Sequence, residues 1–88
     1  MILSVLIPAL NEETTIAKVI DKIPKTIPKI TKINIIVVDD GSTDQTSEKA
    51  KSKGAIVVKH KKNKGLGKTF QDGLEKALQL KSDILVNI

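Results

Sequence analysis

Three carboxylates fall within six residues in Asp39-Asp40-Gly41-Ser42-Thr43-Asp44, directly after the β-branched run Ile33–Val38. Neighbouring carboxylates at the end of a buried strand repel, which predicts a raised pKa for one of them or a bound donor that relieves the repulsion. The N–H edge of a nucleobase is such a donor, whereas a helix cap would need only one of the three groups. Two other loops carry groups suited to the same kind of ligand. Ile7-Pro8-Ala9-Leu10-Asn11-Glu12-Glu13 combines a rigid proline turn, free backbone groups and a carboxylate at Glu12 that could accept hydrogen bonds from ribose hydroxyls. Its structural alternative is helix capping and dipole compensation by Glu12 and Glu13. In the stretch His60–Thr69, Gly65 and Gly67 permit close backbone approach, and Lys64 or Lys68 could neutralise diphosphate charge. The alternative here is a flexible, Lys-rich connection.

Other nucleotide motifs fit less well. The first loop lacks the G-x-G-x-x-G of a dinucleotide site. Gly65-Leu66-Gly67-Lys68-Thr69 follows a strand and opens a helix, as a phosphate-binding P-loop does, but that pattern requires glycine where Lys62 stands. A degenerate P-loop phosphotransferase would also leave the paired aspartates unexplained. A phosphoacceptor receiver domain places its double Asp after the first strand and needs a further Asp ending a later one, but Asp83 precedes the last strand.

These loops must be positioned by alternating elements. Ile2–Ile7, stopped by Pro8, and Ile33–Val38 read as strands buried on two faces, with weaker runs of the same kind at Ala55–Val58 and Ile84–Ile88. Ile16, Val19, Ile20 and Ile23, and then Phe70, Leu74, Ala77 and Leu78, have helical spacing. A shorter helix between them is announced by the capping-box pattern Ser42-x-x-Gln45 and closed by Gly54. Pro24 and Pro28 end the first helix and fill its connection to the second strand. The expected fold is α/β, a parallel sheet of four strands in the order 3-2-1-4 with helices on both faces and right-handed crossovers. Ligands of such sheets bind outside the carboxyl ends of the strands, where the strand order reverses.

Composition narrows the classes further. Eighty-eight residues form one small domain, residues 1–88, with no repeat or low-complexity tract. Chains of this size bury only about two thirds of their surface, and the outer edge of the fourth strand predicts a homo-oligomer formed by pairing there. The absence of Cys excludes disulfides and thiolate metal sites, and the single His60 cannot build a metal site alone. No apolar run reaches the roughly 20 residues of a membrane span, and the expected location is cytoplasmic. The net charge is +5, concentrated in the second half; every basic residue is Lys, and Phe70 is the one aromatic side chain. Without guanidinium forks or a base-stacking platform, no nucleic-acid partner is expected.

Taken together, Ile7-Pro8-Ala9-Leu10-Asn11-Glu12-Glu13, Val37-Val38-Asp39-Asp40-Gly41-Ser42-Thr43-Asp44 and Asn63-Lys64-Gly65-Leu66-Gly67-Lys68 resemble the family 2 glycosyltransferases over the whole chain. The branch resembled most closely makes polyprenyl-phosphate (dolichyl-phosphate) sugars. The resemblance implies the Rossmann-like A-type fold, of which residues 1–88 would be the incomplete N-terminal part that holds a nucleoside-diphosphate sugar, UDP- or GDP-linked. It implies that Pro8, Ala9, Leu10 and Val38 line the nucleoside pocket, that Glu12 binds ribose and that Asp40 accepts from the base. Asp39 would orient the loop, and Lys64 and Lys68 would reach the diphosphate. Family members bind Mg²⁺ or Mn²⁺ through an Asp-x-Asp motif after the fourth strand and place a catalytic base and acceptor site later still. Residues 1–88 contain neither, so no catalytic residue or metal ligand is assigned to them, and they are expected to bind nucleotide without transferring sugar. The acceptor implied is a lipid phosphate, at the cytoplasmic face of a membrane in the parent protein. The rival class is a non-catalytic nucleotide-binding or assembly module.

Overall fold

The computed structural model describes residues 1–88. Seven elements alternate along the chain: β1 (Ile2–Ala9), α1 (Ile16–Asp21), β2 (Lys32–Asp39), α2 (Thr46–Ser52), β3 (Ile56–Lys59), α3 (Leu66–Gln79) and β4 (Ile84–Asn87). The strands form one sheet in the order β3-β2-β1-β4, and every pair is parallel, as the sequence predicts. β4 pairs with β1 alone, so its other edge is free.

β1 runs on through Pro8, where the sequence predicts a stop. The carbonyl of Leu6 faces β4, where it accepts the N–H of Ile88, and that of Ala9 faces β2, where it accepts the N–H of Asp40. By this alternation Pro8 directs its missing N–H toward the β4 side, beyond the end of that strand, and no ladder bond is lost. The register sets the height of the loops. Ala9 lies opposite Asp39, and Asp39 opposite Lys59, so three loops leave the sheet side by side.

Side chains of β1 alternate between two cores. Leu3, Val5, Ile7 and Ala9 pack with Val37 under Ile16, Ile20 and Ala50 of α1 and α2. Leu6 packs with Ile36 and Val38 under Ala77 of α3. Helices therefore cover both faces.

The packed face of α3 differs from the one its apolar spacing predicts. Thr69, Gly73 and Ala77 are buried, while Phe70, Leu74 and Leu78 are 37% to 67% exposed. The cause is the close approach of Gly73 to β1: a Cβ there would stand 2.3 Å from Leu6 Cδ1. Small residues let the helix sit down on the sheet, and the larger apolar residues are turned about one helical step aside.

The predicted capping box also fails to form. α2 begins at Thr46, and the Ser42 hydroxyl is spent on another loop, accepting the N–H of Asn11 at 2.8 Å. The far end follows the sequence. Gly54 has φ +85°, its N–H donates to the Lys51 carbonyl, and the N–H of Ala55 reaches the Ala50 carbonyl. This is the double bond of a Schellman motif. α3 ends in the same way, but with Lys81 at the left-handed position, φ +58°.

Candidate functional site

The loops after β1 and β2 are stitched to each other by reciprocal hydrogen bonds. Asn11, at φ +52°, gives its N–H to Ser42 Oγ and takes the Thr43 N–H on Oδ1 at 2.9 Å. Asn tolerates this left-handed conformation better than most side chains. The Glu12 N–H donates to Thr46 Oγ1 at 2.9 Å, and the Glu13 N–H donates to Asp44 Oδ2 at 3.3 Å. In return, Glu13 Oε2 accepts the N–H of Gln45 at 3.1 Å. Glu13 thus serves the start of α2, whereas the sequence alternative had it capping the first helix. The Glu12 carboxylate accepts the Thr15 hydroxyl at 2.7 Å and remains exposed.

The two consecutive aspartates have different tasks. Asp39 is fully buried; Oδ1 accepts the Ser42 N–H at 2.9 Å and Oδ2 the Ser47 hydroxyl at 2.5 Å, so it shapes the turn. Asp40 turns toward the third loop. Its Oδ1 accepts the Lys64 N–H at 2.7 Å and faces His60 Nδ1 at 2.8 Å, and its Oδ2 accepts the Gly65 N–H at 3.0 Å. Gly41, φ +89°, lets the turn pass against that loop: a Cβ would meet Asn63 N and Lys62 C, both at 2.8 Å.

Of the two outcomes the sequence predicts, the donor and not the raised pKa is found at Asp40 and Asp44. The His60 bond, followed by the N–H of Lys64, holds the Asp40 carboxyl below the usual carboxylate range, against a smaller opposing effect of burial. The Thr46 hydroxyl does the same for Asp44. Donors supplied by the chain itself relieve the repulsion.

His60 carries more than the sequence reveals. It is buried, and its Nε2 lies 2.7 Å from Asp72 Oδ2 while Nδ1 faces Asp40. Both bonds are donated together only by a ring bearing both protons. Asp72 also takes the ammonium of Lys68 at 3.1 Å, and its carboxyl is held low by His60 first and Lys68 second. The readable signal was the i,i+4 pair Lys68/Asp72 at the start of α3. Nothing in the spacing links His60 to Asp40, because that contact is made across neighbouring strands.

Between the three loops lies a cavity of about 360 Å³, within the range of small-molecule sites. Pro8, Ala9, Leu10 and Glu12 form one wall, Asp40 a second, and Asn63, Gly65, Leu66 and Thr69 a third. Five of the eight residues singled out in the sequence thus come together. The other three do not reach the wall with their side chains. Val38 is fully buried with Leu6 and Ala77 beneath α3. Lys64 contributes a backbone N–H to Asp40, its side chain being exposed, and Lys68 is paired with Asp72. A P-loop lysine would have to serve phosphate from that position, and here its ammonium is held by a carboxylate.

No group of three or more His, Asp and Glu side chains is placed to hold a metal ion. No helix is long and apolar enough to cross a membrane.

Comparison with known proteins matches residues 4–85 to the family described as glycosyl transferase family 2. An uncharacterized protein of Methanocaldococcus jannaschii is 44% identical over 93% of this chain and 32% of its own length. The UDP-N-acetylglucosamine–dolichyl-phosphate N-acetylglucosaminyltransferase of Methanococcus voltae is 35% identical over 92% of this chain and 38% of its own length. Among solved structures, glucosyl-3-phosphoglycerate synthase from Mycobacterium tuberculosis, in complex with Mn²⁺, UDP-glucose and glycerol 3-phosphate, superposes with a TM-score of 0.69 at 36% identity, over 84% of this chain and 29% of that one. The chain thus spans about a third of the length of these relatives.

Proposed function

The chain belongs to glycosyl transferase family 2, and from that premise we propose that the cavity at the carboxyl ends of β1 and β2 receives the nucleoside of a uridine diphosphate sugar. That sugar would be the donor in a glycosyl transfer performed at the relatives' full length. The observation that carries this reading is the convergence of Pro8, Leu10, Glu12 and Asp40 on one cavity beside the glycine-flanked start of α3. Pro8 and Leu10 give apolar contact to the base, Asp40 accepts from its N–H, and the exposed Glu12 carboxylate accepts from ribose hydroxyls. Lys64, exposed between the wall residues Asn63 and Gly65, supplies charge toward the diphosphate. Uridine is favoured over guanosine because two of the relatives take UDP-linked sugars by name or in their complexes.

The acceptor class we assign is a polyprenyl phosphate, met at a membrane face. It follows the M. voltae relative, whose match covers 92% of this chain. Residues 1–88 do not supply a divalent-cation site, so no step of the transfer is routed through Mg²⁺ or Mn²⁺ here. Where such an ion is bound, its chemistry is to neutralise the leaving diphosphate.

The test is calorimetric titration of UDP and GDP, with and without Mn²⁺, into the wild-type chain and Asp40→Asn. UDP should bind more tightly than GDP, with little help from Mn²⁺, and the substitution should weaken UDP by about tenfold or more, the worth of one hydrogen bond to a charged group. UDP binding that Asp40→Asn leaves untouched would remove the base from this cavity.

A further inference from the structure

We infer that His60 is the residue that restricts the base to one presenting a single N–H donor, by filling the acceptor position on Asp40 that a second donor would need. The inference rests on the nucleoside reading above and adds to it a specificity determinant outside the cavity wall.

An ionised carboxylate offers about four acceptor positions, two on each oxygen. On Asp40, Oδ1 has both occupied, by His60 Nδ1 at 2.8 Å and by the Lys64 N–H at 2.7 Å. Oδ2 has one occupied, by the Gly65 N–H at 3.0 Å. One position on Oδ2 remains for a ligand. Uracil presents one N–H flanked by two carbonyls and needs only that position. Guanine presents two adjacent donors, N1–H and the exocyclic amine, which engage a carboxylate through both oxygens. With Oδ1 saturated, the second guanine donor would be desolvated without a partner, and such a group is costly in a closed site.

Of the three donors, two are backbone groups that any sequence could provide. The third is a side chain, and it is held rigidly. His60 is buried, its own N–H donates to the Asp39 carbonyl at 2.8 Å, and its Nε2 is fixed by Asp72 at 2.7 Å. Asp72 also has the Lys68 ammonium, at 3.1 Å. The ring can therefore keep its Nδ1 proton on Asp40 while Lys68 still serves Asp72. His60 touches no ligand; it acts as a positioning residue through Asp40.

Asparagine and glutamine separate this role from a merely structural one. An Asn amide nitrogen falls near the place of Nδ1 and can still donate to Asp40. A Gln amide nitrogen falls near Nε2, keeps Asp72 and leaves Oδ1 of Asp40 open. UDP and GDP affinities would be measured for wild type, His60→Asn and His60→Gln, with folding checked by circular dichroism. His60→Asn should keep the preference for UDP within about threefold, while His60→Gln should narrow it about tenfold, chiefly by gaining GDP binding, the usual scale of one charge-assisted hydrogen bond. Equal ratios in the two variants would overturn the inference while leaving the nucleoside reading intact. Failure of wild type to bind either nucleotide would instead overturn both, before any variant is made. Should His60→Gln not fold, the wild type suffices. His60 is the only histidine, so its ring ¹⁵N signals are unambiguous; Nδ1 should stay protonated and hydrogen-bonded on saturation with UDP, and loss of that proton would overturn the assignment.

Discussion

Replacing Gly41 by alanine tests whether the loops after β2 and β3 really hold the site together. Two costs are expected, and the structure lets them be measured apart. The first is conformational. Gly41 sits at φ +89°, where an L side chain is strained by about 1–2 kcal/mol. The second is a collision with atoms that cannot swing away, because the new Cβ would lie 2.8 Å from Asn63 N and Lys62 C, both backbone. Ordinary carbon contacts need about 3.5 Å or more, so residues 62 and 63 must retreat by about 0.7 Å. The amides of Lys64 and Gly65, now 2.7 and 3.0 Å from Asp40, ride on that segment. A shift of this size takes the longer bond outside hydrogen-bond range, and a bond to a charged acceptor is worth about 1.5–3 kcal/mol. The sum is about 2.5–5 kcal/mol, which for a domain of this length lowers the melting temperature by at least about 10 °C. Gly54→Ala is the control. Gly54 has φ +85° with nothing within 4 Å of a new Cβ, so it should show the conformational cost alone. Chemical denaturation of the three proteins, followed by UDP titration of those still folded, reads both terms. If Gly41→Ala and Gly54→Ala prove equally stable, the collision argument is wrong, and the third loop is not braced against the turn.

Other expectations follow from particular groups. Lys81→Gly should stabilise the chain by about 0.5–1 kcal/mol, since Lys holds the left-handed position of a Schellman motif that glycine fills without strain; urea midpoints at constant slope would show it. The carboxyls of Asp40, Asp44 and Asp72 are held below their ordinary value by His60, Thr46 and His60 with Lys68 respectively. Groups depressed in this way contribute stability that is fully present above about pH 5 and is lost as pH falls below about 4, through their folded-state values. Stability measured against pH should fall in that acid window, and Asp40→Asn should make the fall shallower; an unchanged acid limb would refute the assignment for Asp40.

Much of the architecture was legible because period and burial agree. The apolar runs of β1 and β2, rich in β-branched residues, read as two-sided strands, and Gly54 suited the close of a helix. α3 was misread on its face because apolar size, which dominates a periodicity argument, lost to the close approach allowed by Gly73. α2 was misread at its start because Ser42 had a nonlocal partner in Asn11. The site shows the same division. Pro8, Leu10, Glu12 and Asp40 stand at strand ends that the fold class already brings together. His60 escaped because the meaning of one histidine depends on two carboxylates, 20 residues before it and 12 after it, that meet only in three dimensions.

The stitching between the first two loops has a consequence for how the site opens. The backbone N–H groups of Asn11, Glu12 and Glu13 donate to side chains of residues 42–46, about thirty positions away, and those of Thr43 and Gln45 donate back to the side chains of Asn11 and Glu13. Neither loop can fray alone without stranding donors in the other, so the two should open and close as one cooperative unit. Amide protons on both sides would then exchange with solvent at a common free energy, set by the joint and not by either strand end. A one-residue insertion in either loop would disengage the other as well, which ties the lengths of these two distant stretches of sequence to each other.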